Sequence, residues 1–370
     1  MYETSLGTVL KEWGRIGCVG FGGPPAHIAL LRKLCVEDRK WLGDQEFEDA
    51  IAACNLLPGP ASTQLAIFCA WRVRGRLGAI AGGAAFIVPG LILILALAAL
   101  FLGDPPLWVT AAGAGAGAAV AAVALQAGTS LMRPAWKRAP SRRRWSVYLL
   151  AGAVAAATAG PWLVLLLVVC GLAEMIAQRL PAADPNRTGR AAVALLAAGG
   201  LAPLAWTALK VGALSYGGGF VIIPIMQADA VDRYHWMTGA EFLNAVALGQ
   251  ITPGPVVHTV AVVGYAAAGL GGGLLAALIA FGPSFAFILL GASRFDRLRG
   301  NVRVRGFLDG AGPAAIGAIL GSAVPLALTL DEPWQYAVLA GAAVLTLGFR
   351  RGPLLTLLTA AAAGLLVNLW

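Results

Sequence analysis

Residues 16–25 read IGCVGFGGPP, and residues 211–220 read VGALSYGGGF. A shift of 195 residues superposes the two stretches without a gap and places Gly22-Gly23 on Gly217-Gly218. The same shift pairs Trp41 with Trp236, Glu46 with Glu241, and Pro58-Gly59-Pro60 with Pro253-Gly254-Pro255. A long internal repeat in an apolar chain is typical of transporters built from two related halves around a central site.

The composition indicates a protein that lies in a membrane. Hydrophobic residues make up 59% of the 370 residues and charged residues 12%, against about 45–50% and about 25% in soluble domains. The net charge of +9 comes from basic residues clustered between apolar runs. We therefore expect an all-α polytopic membrane protein surrounded by the lipid bilayer, with no nucleic-acid partner.

Twelve apolar runs form two matching series of six. They cover 16–31, 50–71, 77–102, 107–132, 146–160 and 161–178, and then 211–226, 243–266, 269–293, 307–330, 334–348 and 353–370. A full span needs about 20 apolar residues, so the short Gly- and Pro-rich runs 16–31 and 211–226 are expected to be broken or re-entrant. A further run, 191–207, gives 13 segments and a cytoplasmic N-terminus if it crosses. If it does not cross, one of the first two segments of each half is re-entrant, and the expected count is about 11–13.

The charges of equivalent loops alternate between the halves. Basic residues mark the cytoplasmic side. The first-half loop with Arg72, Arg74 and Arg76 corresponds to loop 269–273 of the second half, which has no charge. The next pair has the opposite bias: loop 103–106 has no basic residue, and its partner 294–305 is rich in arginine. Two further loop pairs, 133–144 with 331–333 and 160–161 with 350–351, alternate in the same way. We therefore predict two inverted-topology repeats, 1–178 and 191–370, joined by a cytoplasmic linker at 179–190, with the C-terminus outside.

The repeated Gly- and Pro-rich motifs predict broken helices that face a substrate. Glycine permits unusual backbone angles and proline removes a donor. Freed backbone groups are tolerated inside a bilayer only where they are buried in protein or line a cavity, and helix N-termini favour anions. Close packing of helices through small residues is the alternative explanation for one such stretch. Two equivalent stretches, each preceded by a cation, favour an anion site.

Ionisable side chains within the apolar runs are candidate functional groups. Arg15 and Lys210 occupy equivalent positions and would balance a twofold anion if they are buried, or reach into water if they are not. Glu46 and Glu241 are proton-coupling candidates, or else ordinary residues of a helix N-terminus. The predicted substrate-binding residues are Arg15, Phe21, Gly22, Gly23, His27, Asn55, Pro58, Gly59, Pro60, Thr63, Gln64, Lys210, Tyr216, Gly217, Gly218, Gln250, Pro253, Gly254, Pro255 and His258.

These motifs together resemble the chromate ion transporter (CHR) family in its long two-domain form. The resemblance rests on Phe21-Gly22-Gly23-Pro24 with His27, Leu57-Pro58-Gly59-Pro60 with Thr63-Gln64, and Tyr216-Gly217-Gly218-Gly219 with Pro253-Gly254-Pro255 and Gly264-Tyr265. It covers the whole chain. It implies export of chromate across the bacterial inner membrane, driven by the membrane potential or a proton gradient, with sulfate as a structural analogue.

Two other functions stay open at this stage. The first is uptake or exchange of sulfate or a related oxyanion. The second is a membrane-embedded enzyme, which the sequence disfavours: its three histidines are well separated, its five cysteines form no CxxC pair, and it has no cofactor fingerprint. We therefore expect a transporter with no cofactor and no metal site, and leave open whether it forms a homodimer.

Overall fold

The computed structural model describes residues 4–55, 57, 59–158, 162–178, 201–215, 220–291 and 301–367, which form helices and no strand. The first half contains α1 (Leu6–Val19), α2 (Pro24–Arg32), α3 (Asp44–Cys54), α4 (Ala61–Leu102), α5 (Leu107–Ala118), α6 (Val120–Arg138), α7 (Arg142–Thr158) and α8 (Leu163–Ala177). The second half contains α9 (Ala202–Leu214), α10 (Ile222–Gln227), α11 (Gly239–Ile251), α12 (Thr259–Gly291), α13 (Val302–Leu328), α14 (Pro333–Ala343) and α15 (Pro353–Val367). The predicted all-α membrane fold is confirmed. The linker 179–190 and most of run 191–207 lie outside the described residues.

Four of the described helical stretches are long and apolar enough to cross a membrane. They are Ala61–Leu102, Leu107–Arg138, Val256–Gly291 and Val302–Leu328. Two shorter apolar helices cover Leu163–Ala177 and Pro353–Val367.

Helix α4 reverses direction within its length. Its backbone leaves helical geometry at Arg74 and Gly75, where Gly75 has φ 65°. Gly82 then lies against Ala70, although a continuous helix would hold these residues about 18 Å apart. Residues 61–73 therefore form a short arm that packs antiparallel to residues 76–102.

Helix α12 reverses in the same way at Gly269, which has φ 62°. Gly264 lies against Gly272 across this turn. The two turning glycines are 194 residues apart, one fewer than the shift that pairs the Pro-Gly-Pro elements. The second half is therefore one residue shorter between its Pro-Gly-Pro element and its turn.

The first helices of each half form hairpins whose two ends lie next to each other. Arg39 Nη2 donates to Glu12 Oε1 at 2.6 Å, which brings the end of the α2 segment back to α1. Arg72, at the end of the short arm of α4, pairs with Glu46 at the start of α3. These contacts require the chain to reverse at residues 20–23 and again near the first Pro-Gly-Pro element.

The second half has the same two hairpins. Thr207 Oγ1 donates to Asp229 Oδ2 at 2.7 Å and so joins α9 to the turn after α10. Gly249 of α11 lies against Thr259 of α12, on opposite sides of the second Pro-Gly-Pro element. We number these hairpins 1 (α1–α2), 2 (α3 with residues 61–73), 3 (α9–α10) and 4 (α11 with residues 256–267).

The hairpins show how the first two runs of each half are folded. Run 50–71 is not one continuous helix, because its two arms lie side by side with the Pro-Gly-Pro element at the tip. Helix α3 has 11 residues, a length of about 16 Å, or half the hydrocarbon thickness. Hydropathy alone cannot distinguish two such arms from one full span. Run 16–31 is broken at residues 20–23, as expected.

The two halves pack against each other in antiparallel fashion. Gly83 of α4 lies against Phe285 of α12, and Leu95 of α4 lies against Gly273. The open ends of hairpins 1 and 2 lie beside the start of the long arm of α4. The second half's turn at Gly269 lies beside the other end of that arm. The hairpins of the two halves therefore point toward each other.

Small residues allow the remaining long helices to approach closely. Gly152 of α7 lies against the Ala314 backbone of α13, and Gly115 of α5 lies against Gly364 of α15. Contacts of this kind are common between helices in membranes, where backbones approach through Gly and Ala. The last helix of each half packs on a long helix of the other half, since α8 also contacts α13. This exchange joins the halves around the hairpins.

Candidate functional site

The tips of the hairpins meet at one place, which we call the central junction. The Gly20 carbonyl oxygen, at the tip of hairpin 1, accepts a hydrogen bond of 2.9 Å from the backbone N–H of Gly254, at the tip of hairpin 4. Gly59, at the tip of hairpin 2, approaches the Gly212 carbonyl of hairpin 3 and the Ser284 hydroxyl of α12. The junction comprises these tips and the parts of α4 and α12 that they contact.

The backbone at the tips depends on glycine. Gly22, Gly23, Gly59 and Gly254 have φ of 96°, 70°, 114° and 94°, values that other residues adopt only with strain. The predicted helix breaks at these positions are confirmed. Pro58, Tyr216, Gly217 and Gly218 lie outside the described residues.

His27 connects three parts of the junction. Its Nε2 lies 2.9 Å from the Gly20 carbonyl oxygen, and its Nδ1 lies 3.2 Å from the Ser62 hydroxyl. Because a carbonyl can only accept, Nε2 carries a hydrogen, and in the neutral ring Nδ1 accepts from Ser62. The ring also packs edge-on against Phe86 of α4, with centroids 5.1 Å apart. His27 therefore ties hairpin 1 to hairpin 2 and to α4.

His258 is buried without comparable partners. Within the described part of the chain, neither ring nitrogen has a hydrogen-bond partner of standard geometry, although the Ile87 backbone lies close to the ring. The ring packs edge-on against Phe281 with centroids 5.3 Å apart. It also lies against Gly90 of α4 and Gly254, so that a side chain at position 90 would strike both the ring and the Pro253 carbonyl. His258 thus presents unused polar atoms inside the junction.

Several other polar groups near the tips also have no hydrogen-bond partner among the described residues. The buried atoms without one include Oγ of Ser215, Oγ of Ser284, Oγ1 of Thr63 and Nε2 of Gln250. Leaving a buried polar group unsatisfied costs about 1–3 kcal/mol, so a native cluster of them calls for an explanation. Hydroxyl, amide and imidazole groups are the neutral donors that an oxyanion accepts from. The junction therefore suits a small oxyanion.

The shortened second half changes one equivalence that the sequence suggested. The gapless shift pairs His258 with Thr63. In the structure His258 lies against Gly254, as Gln64 lies against Gly59. His258 is therefore the counterpart of Gln64, which is fully buried.

The two predicted cations do not occupy equivalent environments, so the two alternatives given by the sequence apply to different residues. The Arg15 side chain is 61% exposed and lies 3.4 Å from the Glu12 carboxylate. The Lys210 side chain is 12% exposed and is ion-paired with buried Asp229. The repeat places Leu34 opposite Asp229, so the first half has no acid there. Lys210 is buried, but its charge is already balanced.

The remaining predicted residues lie away from the buried part of the junction or define its backbone. Phe21, Gly22 and Asn55 are exposed, whereas Pro60, Pro253 and Pro255 are buried at the tips. Glu46 pairs with Arg72 at the open end of hairpin 2. Glu241 completes a capping box with Thr238 at the start of α11. Both glutamates therefore have a local structural role.

Sequence reasoning did not identify Gly90, Ser215 or Ser284 as parts of the site. One signal could have found two of them: Pro89 and Pro283 each interrupt a long apolar run, and the next residues are Gly90 and Ser284. These prolines are 194 residues apart, so the shift of 195 does not align them.

Comparison with known proteins identifies a family and several relatives. A family model described as Chromate transporter matches residues 7–175 and 202–365. The chain is 32% identical over 331 residues to a chromate transport protein of Cupriavidus metallidurans, covering 85% of this chain and 80% of the relative. It is 30% identical over 343 residues to a chromate transport protein of Pseudomonas aeruginosa, covering 86% and 80%. An uncharacterized transporter of Methanocaldococcus jannaschii is 27% identical over 381 residues, covering 97% of this chain and 94% of the relative. No solved structure matches the chain.

Proposed function

Because this chain belongs to the chromate transporter family, we propose that it is a secondary transporter that exports chromate from the cytoplasm and so confers chromate resistance. The observation that carries the proposal is the central junction, where hairpin tips from both halves bring unpartnered donors together. Tetrahedral oxyanions offer four acceptor oxygens to such groups.

We propose that the anion is held mainly by neutral donors. The groups placed to bind it are the Ser284 and Ser215 hydroxyls, the Thr63 hydroxyl and a His258 ring N–H, together with the backbone N–H groups freed at the tips. A dianion in a low-dielectric site needs several such donors or a counter-charge. His258 is fully buried and contributes a neutral donor, and Glu46 and Glu241 are engaged elsewhere.

We propose an inverted membrane topology for the two halves. The antiparallel packing of α4 and α12 and the alternating loop charges both favour it. Hairpins 1 and 2 would then enter from one face and hairpins 3 and 4 from the other, so that the central junction lies near the bilayer midplane. The basic loops favour a C-terminus outside the inner membrane.

Flux measurements test the proposal. Inverted membrane vesicles containing the full chain should accumulate labelled chromate, and vesicles without it should not. An imposed proton gradient or membrane potential should change the rate if transport is secondary. No chromate flux in vesicles that contain folded protein would refute the proposed function.

A pair of matched serine variants tests the site itself. Ser284→Ala removes a buried hydroxyl that has no partner among the described residues, so we expect stability that is unchanged or higher. Chromate flux should fall about tenfold, the effect of one lost hydrogen bond to an anion. Ser322→Ala is the control, because that hydroxyl is also buried but donates to the Ile319 carbonyl oxygen within α13. Equal flux in both variants and in the unaltered chain would exclude Ser284 from the site.

Sulfate transport is the alternative, because a site of neutral donors can accept any tetrahedral dianion. Competition distinguishes the two substrates. If chromate is the substrate, labelled chromate flux should persist in the presence of excess sulfate. Sulfate flux that excess chromate leaves unchanged would favour the alternative.

A further inference from the structure

A cavity lies at the turn between α6 and α7, outside the central junction. It has a volume of about 630 Å³ and is lined by Met132, Arg133, Pro134, Trp136, Lys137 and Trp145. None of these residues belongs to the hairpins or their tips. The cavity therefore needs an explanation of its own.

Two tryptophans form an aromatic wall in this cavity. The Trp136 and Trp145 rings meet edge to face with centroids 4.9 Å apart. The Arg142 guanidinium lies over the Trp136 ring, 5.6 Å from its centroid. Trp145 is 6% exposed, and its buried indole N–H finds no acceptor in the described part of the chain. Tryptophans of membrane proteins concentrate at the boundary between lipid and water, so this wall indicates the level of the lipid headgroups.

The charge around the cavity is strongly positive. Arg133 and Lys137 line it and are exposed, and the adjoining turn carries Arg138, Arg142 and Arg143. The nearest buried carboxylate on α8, Glu174, is already engaged by Arg144 through hydrogen bonds of 2.8 and 3.0 Å. The cavity thus combines apolar walls with cations that have no carboxylate partner among the hydrogen bonds and ion pairs of the described residues.

We propose that this cavity binds the headgroup and upper acyl chains of an anionic phospholipid. The cations match the phosphate of the headgroup, and the Met132, Pro134 and Trp walls match the acyl chains. A free inorganic anion would use the cations but leave the apolar walls in contact with water. The loop charges place this turn on the cytoplasmic side, where a lipid bound between α6 and α7 would hold the two helices together.

Native mass spectrometry of the delipidated full-length protein tests the proposal. We expect bound phosphatidylglycerol in preference to phosphatidylcholine. Each basic residue near an anionic lipid headgroup contributes about a factor of five in affinity. The double variant Arg133→Gln with Lys137→Gln should therefore bind phosphatidylglycerol about 25-fold more weakly. These side chains are exposed, so folding should be preserved, and gel filtration would verify it.

A charge-matched control isolates the site. Arg350→Gln with Arg351→Gln removes the same charge from another exposed loop and should leave lipid binding unchanged. Equal loss in both double variants would mean diffuse attraction to basic loops, and equal binding of the two lipids would mean adventitious lipid only. Displacement by inorganic phosphate would identify a small-anion site instead. Each of these results would overturn the proposal.

Discussion

Replacing Lys210 with methionine should destabilise the protein because it strands a buried carboxylate. Lys210 pairs with Asp229, whose side chain is 2% exposed, and the other hydrogen bond to this carboxylate comes from Thr207 at 2.7 Å. Removing one partner of a buried ion pair costs about 3–5 kcal/mol, whereas replacing both partners with apolar residues is often neutral. We therefore expect Lys210→Met to lose about 3–5 kcal/mol, and Lys210→Met with Asp229→Leu to recover most of it.

Arg15→Met provides the matched control at the equivalent repeat position. The Arg15 side chain is 61% exposed, and Glu12 keeps its 2.6 Å contact with Arg39 when Arg15 is removed. Exposed ion pairs contribute about 0–1 kcal/mol, so this variant should stay within about 1 kcal/mol of the unaltered chain. The free energy of unfolding can be measured by titrating mixed detergent micelles with dodecyl sulfate.

Chromate flux through the double variant then separates two roles of Lys210. Recovered stability with normal flux would mean that the ion pair only holds hairpin 3 together. Recovered stability without flux would mean that the Lys210 charge also acts on the anion. If Lys210→Met were as stable as the unaltered chain, or if Arg15→Met lost as much, the structural reasoning about this pair would be refuted.

Three further predictions follow from the junction and the topology. Gly90→Ala should abolish flux or folding, because the added methyl group meets the Pro253 carbonyl and the His258 ring. Gly282→Ala is the control and should have normal flux, because its methyl group meets nothing within 4 Å. Normal flux in both variants would contradict the close contact at Gly90. His258→Phe adds volume at a closely packed, fully buried position, so it should cost about 1–3 kcal/mol of unfolding free energy. It should also reduce chromate flux at least tenfold, and unchanged flux would remove His258 from the site. A reporter active only in the cytoplasm should be silent after Trp370 and active within loop 296–303, and the opposite pattern would overturn the inverted topology.

Much of the fold follows from local properties of the sequence. The apolar runs require helices in lipid, because every backbone polar group must be satisfied there. Glycine and proline act on their own backbone, so the breaks at Gly22-Gly23 and at the two Pro-Gly-Pro elements could be predicted without knowing any neighbour. The repeat then indicates that equivalent breaks from two halves serve one site.

Properties that depend on residues distant in sequence could not be predicted in this way. Hydropathy gave no sign that residues 44–73 reverse at the Pro-Gly-Pro tip, because two short apolar arms and one long span have the same composition. The exposure of Arg15 and the pairing of Lys210 with Asp229 differ between halves although the cations align, because each depends on what packs beside it.

The sequence by itself determined the membrane environment, the two related halves and the positions where helices break. Only the tertiary structure decided which polar groups meet there. Ser284 and Gly90 enter the central junction because α12 and α4 cross antiparallel beside the tips of hairpins from the other half. Burial and partnership are properties of that packing, since a hydroxyl or a cation becomes a ligand or a structural contact according to the groups that surround it.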